Sequence, residues 1–322
     1  MRSSMPRIAG KLNGIAGGRL RAQAQVRAVL DFDDGPSSVT AMKWRTLSLG
    51  SLLAWMAFGP LANTAVAAGK HSVTSNDHVH LSQVHRLVLD PGHGGENLGA
   101  LGSSGIREKV LCLDVATAAA AWLRDHSDLE VLLTRDRDVA LELRQRPRLA
   151  NDWKADALIS IHANAHEAGE AQGMEVFFLA ADASVDAARQ LVEREEGIRP
   201  GDGTAQLAWS TPGILADLDL AAAHARAQVL ALALGDSLHQ LRPKARFRGV
   251  RQAAFGVLKE ARMPAVVLEI GYLTHPVEGP QLTEPETHVQ FAKAILRAVQ
   301  QLDRRLITER HADEARVKPK HR

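Results

Sequence analysis

The sequence predicts a three-layer α/β sandwich, with a central, largely parallel or mixed sheet flanked by helices. Strand-like and helix-like segments alternate from about residue 85 to the C-terminal region, the pattern of sheets built from strand–helix units. Several strand-like segments, such as ALISI (157–161) and PAVVLEI (264–270), are continuous apolar runs. Such strands need cover on both faces, hence helices above and below. At 45% apolar and 24% charged residues, the composition suits one large packed domain and excludes global disorder.

Taken in order, residues 1–41 mix Gly, Arg and Ser without apolar periodicity and read as an upstream extension with a misassigned start, Met42 being the true beginning. Residues 42–67 carry a basic start (Met42-Lys43-Trp44-Arg45), an apolar run from Leu47 to Leu61, and a small-x-small stretch, Ala65-Val66-Ala67. This is the order of a secretory signal peptide, which places the mature chain in the periplasm. The apolar run is shorter than the roughly 20 residues of a membrane span, so no stable span is expected in the mature chain. Residues 68–84 read as a linker.

Residues 86–90 (RLVLD) form a predicted strand leading into a Gly-rich loop. A helix is expected over 108–123, with Leu111, Val115, Ala118, Ala119 and Trp122 on one face. Strands are expected at 129–134, 157–161, 173–179 and 264–270. Helices are expected at 141–152, kinked or broken at Pro147, and at 182–196, 214–241 and 289–303. Residues 247–259 hold a short strand and a helix start, and 304–322 a charged, frayed tail.

Charge is unevenly distributed. Residues 1–67 hold eight Lys/Arg and three Asp/Glu, whereas the remainder holds 31 Lys/Arg and 34 Asp/Glu, a net of −3. The slight overall basicity therefore belongs to the leader, and nothing electrostatic favours nucleic-acid binding. A single cysteine, Cys112, excludes an intrachain disulfide and a cysteine zinc knuckle.

Three apolar strands end in residues able to bind metal or move protons: Asp90-Pro91-Gly92-His93-Gly94-Gly95, Ser160-Ile161-His162-Ala163-Asn164, and Leu268-Glu269-Ile270-Gly271. If the strands are parallel, His93, His162 and Glu269 reach one sheet edge, where open α/β sheets bind ligands. Glu108 opens the next helix on the face carrying Leu111 and Val115, and so points back toward the His93 loop. Two histidines and one carboxylate form a three-ligand zinc set with a fourth position for water. Other readings stay open here. Either histidine can be a hydrogen-bonded structural residue. Glu108 can be a favourable charge at a helix N-terminus. Glu269, in an apolar strand, must be paired, protonated or near a cation.

Three blocks together resemble one family: LDPGHGGENLGALGSSGIREKVLCLDVA, LLTRDRDVALELRQRPRLANDWKADALISIHANA and VRQAAFGVLKEARMPAVVLEIGYLTHP. From about Arg86 to Leu302 the chain resembles the zinc-dependent N-acetylmuramoyl-L-alanine amidases that act in bacterial cell separation. The resemblance implies one zinc ion on His93, Glu108 and His162, with Glu269 as the catalytic carboxylate. It implies a catalytic domain over 85–303 that cuts peptidoglycan between muramic acid and L-alanine; a monomer is expected. The stretch 181–243 resembles a regulatory helical insertion relieved by an activator protein; Glu193, Glu195 and Glu196 form an acidic cluster able to approach the metal, with a solvated helix face as the alternative reading and no residue assigned as the plug. Departures from the family pattern are Val110, Cys112 and Thr274-His275-Pro276. The competing functions are a zinc peptidase acting on the stem peptide and a non-catalytic wall-binding protein.

Overall fold

The structure, a computed structural model, describes residues 78–179, Val192, Arg194 and 214–317. The leader (42–67), the extension before it, residues 68–77 of the expected linker, and Glu193, Glu195 and Glu196 lie outside these residues. Among the described residues, six strands form one sheet: β1 (Arg86–Pro91), β2 (Glu130–Leu133), β3 (Ala157–Asn164), β4 (Met174–Phe178), β5 (Phe247–Gln252) and β6 (Ala265–Tyr272). Their order is β2-β1-β3-β6-β4-β5. Strands β2, β1, β3 and β6 run parallel; β4 is antiparallel to β6, and β5 parallel to β4. The sheet is therefore mixed, and the three strands that end in candidate site residues are parallel neighbours. The helices are α1 (Glu108–His126), α2 (Gln145–Asp152), α3 (Ile214–Leu241), α4 (Gly256–Lys259), α5 (Glu278–Gln281) and α6 (Pro285–Val317).

The apolar strand runs are sorted by the two-residue side-chain period. Leu87, Leu89, Ile159, Ile161, Val266 and Leu268 join one core with α1, α3 and α6. Val88, Leu158, Phe177 and Val267 face the other way and pack with Ala150, Phe255, Val257 and Leu258, around the short helices α2 and α4. The same parity puts Asp90, Ser160, His162 and Glu269 on this second face. His162 and Glu269 are direct partners across β3 and β6. The buried stripe of α1 runs through Leu111, Val115, Ala119 and Leu123, with Cys112 wholly buried beside it as a small apolar residue, while Trp122 is only half-buried.

Four expectations are corrected. Helix α2 starts at Gln145 rather than at 141, and Pro147 does not kink it. Proline there occupies the first turn, where backbone N–H groups have no intrahelical acceptor to lose. Residues 78–84 are packed rather than loose: Val84 and Leu81 are buried. The N–H groups of Ser82, Gln83 and Val84 all donate to one oxygen of Asp303, at 3.0, 2.5 and 2.9 Å. The last helix begins at Pro285, and its charged end is helical to Val317 instead of frayed. Glu309 accepts there from Arg305 at 2.7 Å, one turn away, and from Arg226 of α3 at 3.0 Å. His275 serves as a cap: its Nδ1 accepts from the N–H groups of Val277 and Glu278 at 3.2 and 3.0 Å.

Candidate metal centre

Strand β1 ends at Pro91, and the Gly92 N–H still donates to Ile161 O at 2.9 Å, so the His93 loop leaves the sheet beside β3. His93 then adopts φ +58°, a left-handed conformation that costs a non-glycine residue of order 1–3 kcal/mol. Two buried arginines hold that backbone in place. Arg146 donates to Pro91 O and His93 O, each at 2.8 Å, and to Asp90 Oδ1 at 2.8 Å. Arg135 donates to Pro91 O at 3.1 Å, to Gly92 O at 2.6 Å and to Lys109 O at 2.8 Å. The second of these bonds, to Gly92, and the third, to Lys109, tie the loop to the start of α1.

Asp90 balances the Arg146 charge inside the protein. Its other donors are Ser160 Oγ at 2.6 Å and Thr134 Oγ1 at 2.5 Å. Burial pushes the Asp90 carboxyl up, but the Arg146 charge and these hydrogen bonds outweigh it and hold the group below the usual carboxylate value.

Glu108 is the hub of the site. One carboxylate oxygen lies 2.8 Å from His93 Nε2 and 3.2 Å from His162 Nδ1, and also accepts the Ala163 N–H at 3.1 Å. The second oxygen accepts the Ala100 N–H at 3.0 Å. Burial favours the neutral acid, yet the hydrogen bonds and charge of His162 and His93 override it and keep Glu108 ionised. The His93 and His162 rings meet edge to face, centroids 4.9 Å apart. One ligand atom from each of His93, Glu108 and His162 lies within 4.8 Å of the others. Asn97 Oδ1, 2.9 Å from His93 Nδ1, fixes the ring from its far side, an orienting contact characteristic of metal-binding histidines.

Two glycines are required by this packing. A Cβ on Gly92 would stand 2.5 to 2.7 Å from three atoms of the His162 ring. One on Gly99, already at φ +61°, would stand 2.7 Å from Glu108 and 2.8 Å from His93. An inward-facing set of two imidazoles and one carboxylate, with oriented rings and backbone glycines pressed against it, fits a zinc ion.

Glu269 is fully buried on β6. As the register partner of His162, its Cα is about 4.8 Å from that of the histidine, and both side chains leave the same face. Glu175 faces Glu269 from β4 and is held by Arg248 at 3.1 Å and Arg251 at 3.3 Å. Asn164, one pleat beyond His162, donates toward Glu175 at 3.4 Å and accepts from Arg194, which also donates to Ala165 O at 2.9 Å. A cavity of about 450 Å³ opens onto His93 and Glu108 and is walled by Glu96, Asn97, Arg107 and Arg194.

All four predicted site residues thus converge on the C-terminal end of β1, β3 and β6. Sequence reading missed the supporting set: Asp90, Arg135, Arg146, Asn97, Glu175 and Arg194. Arg135 and Arg146 lay within the second family-like block, but nothing in spacing shows that an arginine is buried against carbonyls 43 to 55 residues away.

A family model described as N-acetylmuramoyl-L-alanine amidase matches residues 87–301. The chain is 33% identical over 217 residues to N-acetylmuramoyl-L-alanine amidase AmiA of Escherichia coli K12, covering 66% of this chain and 74% of the relative. A solved N-acetylmuramoyl-L-alanine amidase of Clostridium difficile 630 is 27% identical, with a TM-score of 0.50 over 68% of this chain and 96% of that one. The CwlD amidase of Clostridioides difficile, solved in complex with the GerS lipoprotein, shares the fold at 21% identity and a TM-score of 0.51, over 68% of this chain and 98% of that one.

Proposed function

The chain belongs to the N-acetylmuramoyl-L-alanine amidase family, and from that membership we propose how its own residues carry the activity. The reaction is hydrolysis of the amide between N-acetylmuramic acid and L-alanine in peptidoglycan, in cell-wall remodelling and separation. His93, Glu108 and His162 hold one zinc ion, a reading supported by their shared, buried donor cluster. Zinc bound there would lower the pKa of a water and polarise the scissile carbonyl. Glu269 receives a proton from the attacking water as the new C–O bond forms, then passes it to the L-alanine nitrogen as the C–N bond breaks. Its place across from His162, at the parallel strand ends, is the single observation that carries this role. Asn97 and the two buried arginines keep the His93 ring aimed, so little reorganisation accompanies binding.

The test is Glu269→Gln on purified peptidoglycan. Zinc content and thermal stability should match the parent, while release of peptides with free L-alanine amino termini falls by about 10²–10⁴-fold. Undiminished release would remove Glu269 from the role. Stem peptides cut at internal bonds, with the amide to muramic acid still intact, would instead favour a stem peptidase.

A regulatory role for 181–243 has one supporting contact. Arg194 reaches Asn164 and Ala165 and lines the cavity that opens onto His93 and Glu108. In this reading the segment restricts access until an activator protein draws it away. Arg194→Ala should raise basal turnover; a fall, with folding retained, would argue against a lid. Export through residues 42–67 to the periplasm completes the proposal, and cell fractionation with and without that leader tests it.

A further inference from the structure

At the other end of α1 a second cluster of metal-type donors stands apart from the active site. The 19 residues of α1 separate the two by about 28 Å. Val79 forms an isolated parallel bridge with Ser127: its N–H donates to His126 O at 2.9 Å, and its carbonyl accepts from the Asp128 N–H at 3.2 Å. Val79 itself packs against the main core. In extended backbone, residues i and i+2 share a face. Pinning Val79 inward therefore sends His78 and His80 outward together, onto Asp128. His78 Nε2 lies 2.9 Å from one Asp128 oxygen, and His80 Nδ1 lies 2.9 Å from the other. One donor atom from each of the three lies within 4.8 Å of the others.

We infer that His78, His80 and Asp128 form a second site for a divalent transition metal, best suited by zinc, which clasps residues 78–80 to the end of α1. Two imidazoles and a carboxylate are the donor set that zinc, nickel and copper prefer, whereas calcium and magnesium select oxygen. Ligands 2.0 to 2.2 Å from a common ion stand roughly 3 Å apart, as each histidine and the carboxylate already do. The remaining gap between the two rings, whose centroids are 5.3 Å apart, closes by rotation of exposed side chains; the His80 side chain is 80% exposed. Open coordination positions face solvent and take water. This site performs no step of the amide hydrolysis. Metal bound there would tighten the attachment of residues 78–80, because binding to the folded clasp alone stabilises it by mass action.

The test uses the tag-free full chain, stripped with chelator, re-equilibrated with excess Zn²⁺ at neutral pH, gel-filtered and assayed for zinc by mass spectrometry. The parent should retain two zinc ions per chain. The double variant His78→Ala/His80→Ala should retain one, with unchanged peptidoglycan hydrolysis and unchanged melting in the absence of metal. His93→Ala/His162→Ala should also retain one, and lose hydrolysis. In the parent, zinc should slow proteolysis around residues 78–80, and in His78→Ala/His80→Ala it should not. One zinc in the parent, or two in His78→Ala/His80→Ala, would overturn the second site. Two in His93→Ala/His162→Ala would overturn the active-site assignment instead, so the two failures are told apart.

Discussion

Gly92→Ala isolates what the His93 loop does for the neighbouring His162. The added Cβ would sit 2.5 Å from His162 Cε1, 2.6 Å from Nε2 and 2.7 Å from Nδ1. Comfortable carbon contacts begin near 3.5 Å, so the ring or the loop must give by about 1 Å. The loop is poorly placed to move, since its carbonyls are bonded to buried Arg135 and Arg146. The His162 ring therefore yields, and its hydrogen bond to Glu108 lengthens beyond 3.2 Å. A 1 Å misplacement in a catalytic array costs on the order of 10²-fold in rate, or about 2.7 kcal/mol of transition-state stabilisation. Overpacking also costs about 1–3 kcal/mol of folding stability. Gly105→Ala is the control, because Gly105 has φ +85° and a Cβ placed there would meet nothing within 4 Å. It should lose about 1 kcal/mol of stability from backbone strain yet keep its turnover. Denaturant melts, zinc content and kcat/KM on purified peptidoglycan read both variants. Gly92→Ala with turnover within about twofold of the parent would refute the claim that loop packing sets the His162 position.

Arg146→Met should cost about 3–5 kcal/mol in chemical denaturation, because it strands the buried Asp90 carboxylate, and should lower zinc affinity through the freed His93 carbonyl. The Asp90 carboxyl is held below its ordinary value of 3.8, so its stabilisation is fully present above that pH and is lost as the pH falls through the lower folded value. Denaturation midpoints measured down the acid limb should fall less steeply in Asp90→Asn than in the parent. Asp303→Ala removes the acceptor shared by three backbone N–H groups and should cost about 1–3 kcal/mol; amide exchange should speed up at residues 82–84 first. Chelator treatment should abolish hydrolysis, and added zinc should restore it in the parent but not in Glu108→Ala.

The layered fold was legible because burial on both faces leaves a plain mark, unbroken apolar runs between helical stretches, and parity then assigns Leu87 and Leu89 to one core and Val88 to the other. His93, His162 and Glu269 stood out as candidates because they end apolar strand runs, and Glu108 because it opens the next helix on its inward face. The antiparallel step at β4 was not, since strand direction is decided by long-range pairing. Pro147 misled because a proline reads the same whether it breaks a helix or opens one. The N-terminal stretch 78–84 looked like a linker for a similar reason. Its order comes from distant partners: Asp303, 219 residues away from Val84, for residues 82–84, and the end of the first long helix for Val79.

The two faces of the sheet also explain why the site lies where it does. Long helices α1, α3 and α6 cover one face, while the other is covered by α2 and α4, eight and four residues long. That thinner layer ends near Ser160, leaving His162 and Glu269 beyond it on the same face. Glu108 reaches round from the opposite layer, because α1 starts at the strand ends and its first side chain points back along the helix. The Arg135 and Arg146 guanidiniums supply the hydrogen bonds that the loop carbonyls need there. They brace the loop without lining the cavity, so His93 and Glu108 stay both held and reachable. Shortening either arginine to lysine should separate these two demands: the charge opposite Asp90 survives in Arg146→Lys, but one ammonium cannot reach Pro91, His93 and Asp90 with the planar fork those acceptors fit. Arg146→Lys should thus retain most of the folding stability lost in Arg146→Met while still losing turnover, and equal recovery of both would show that charge alone positions His93.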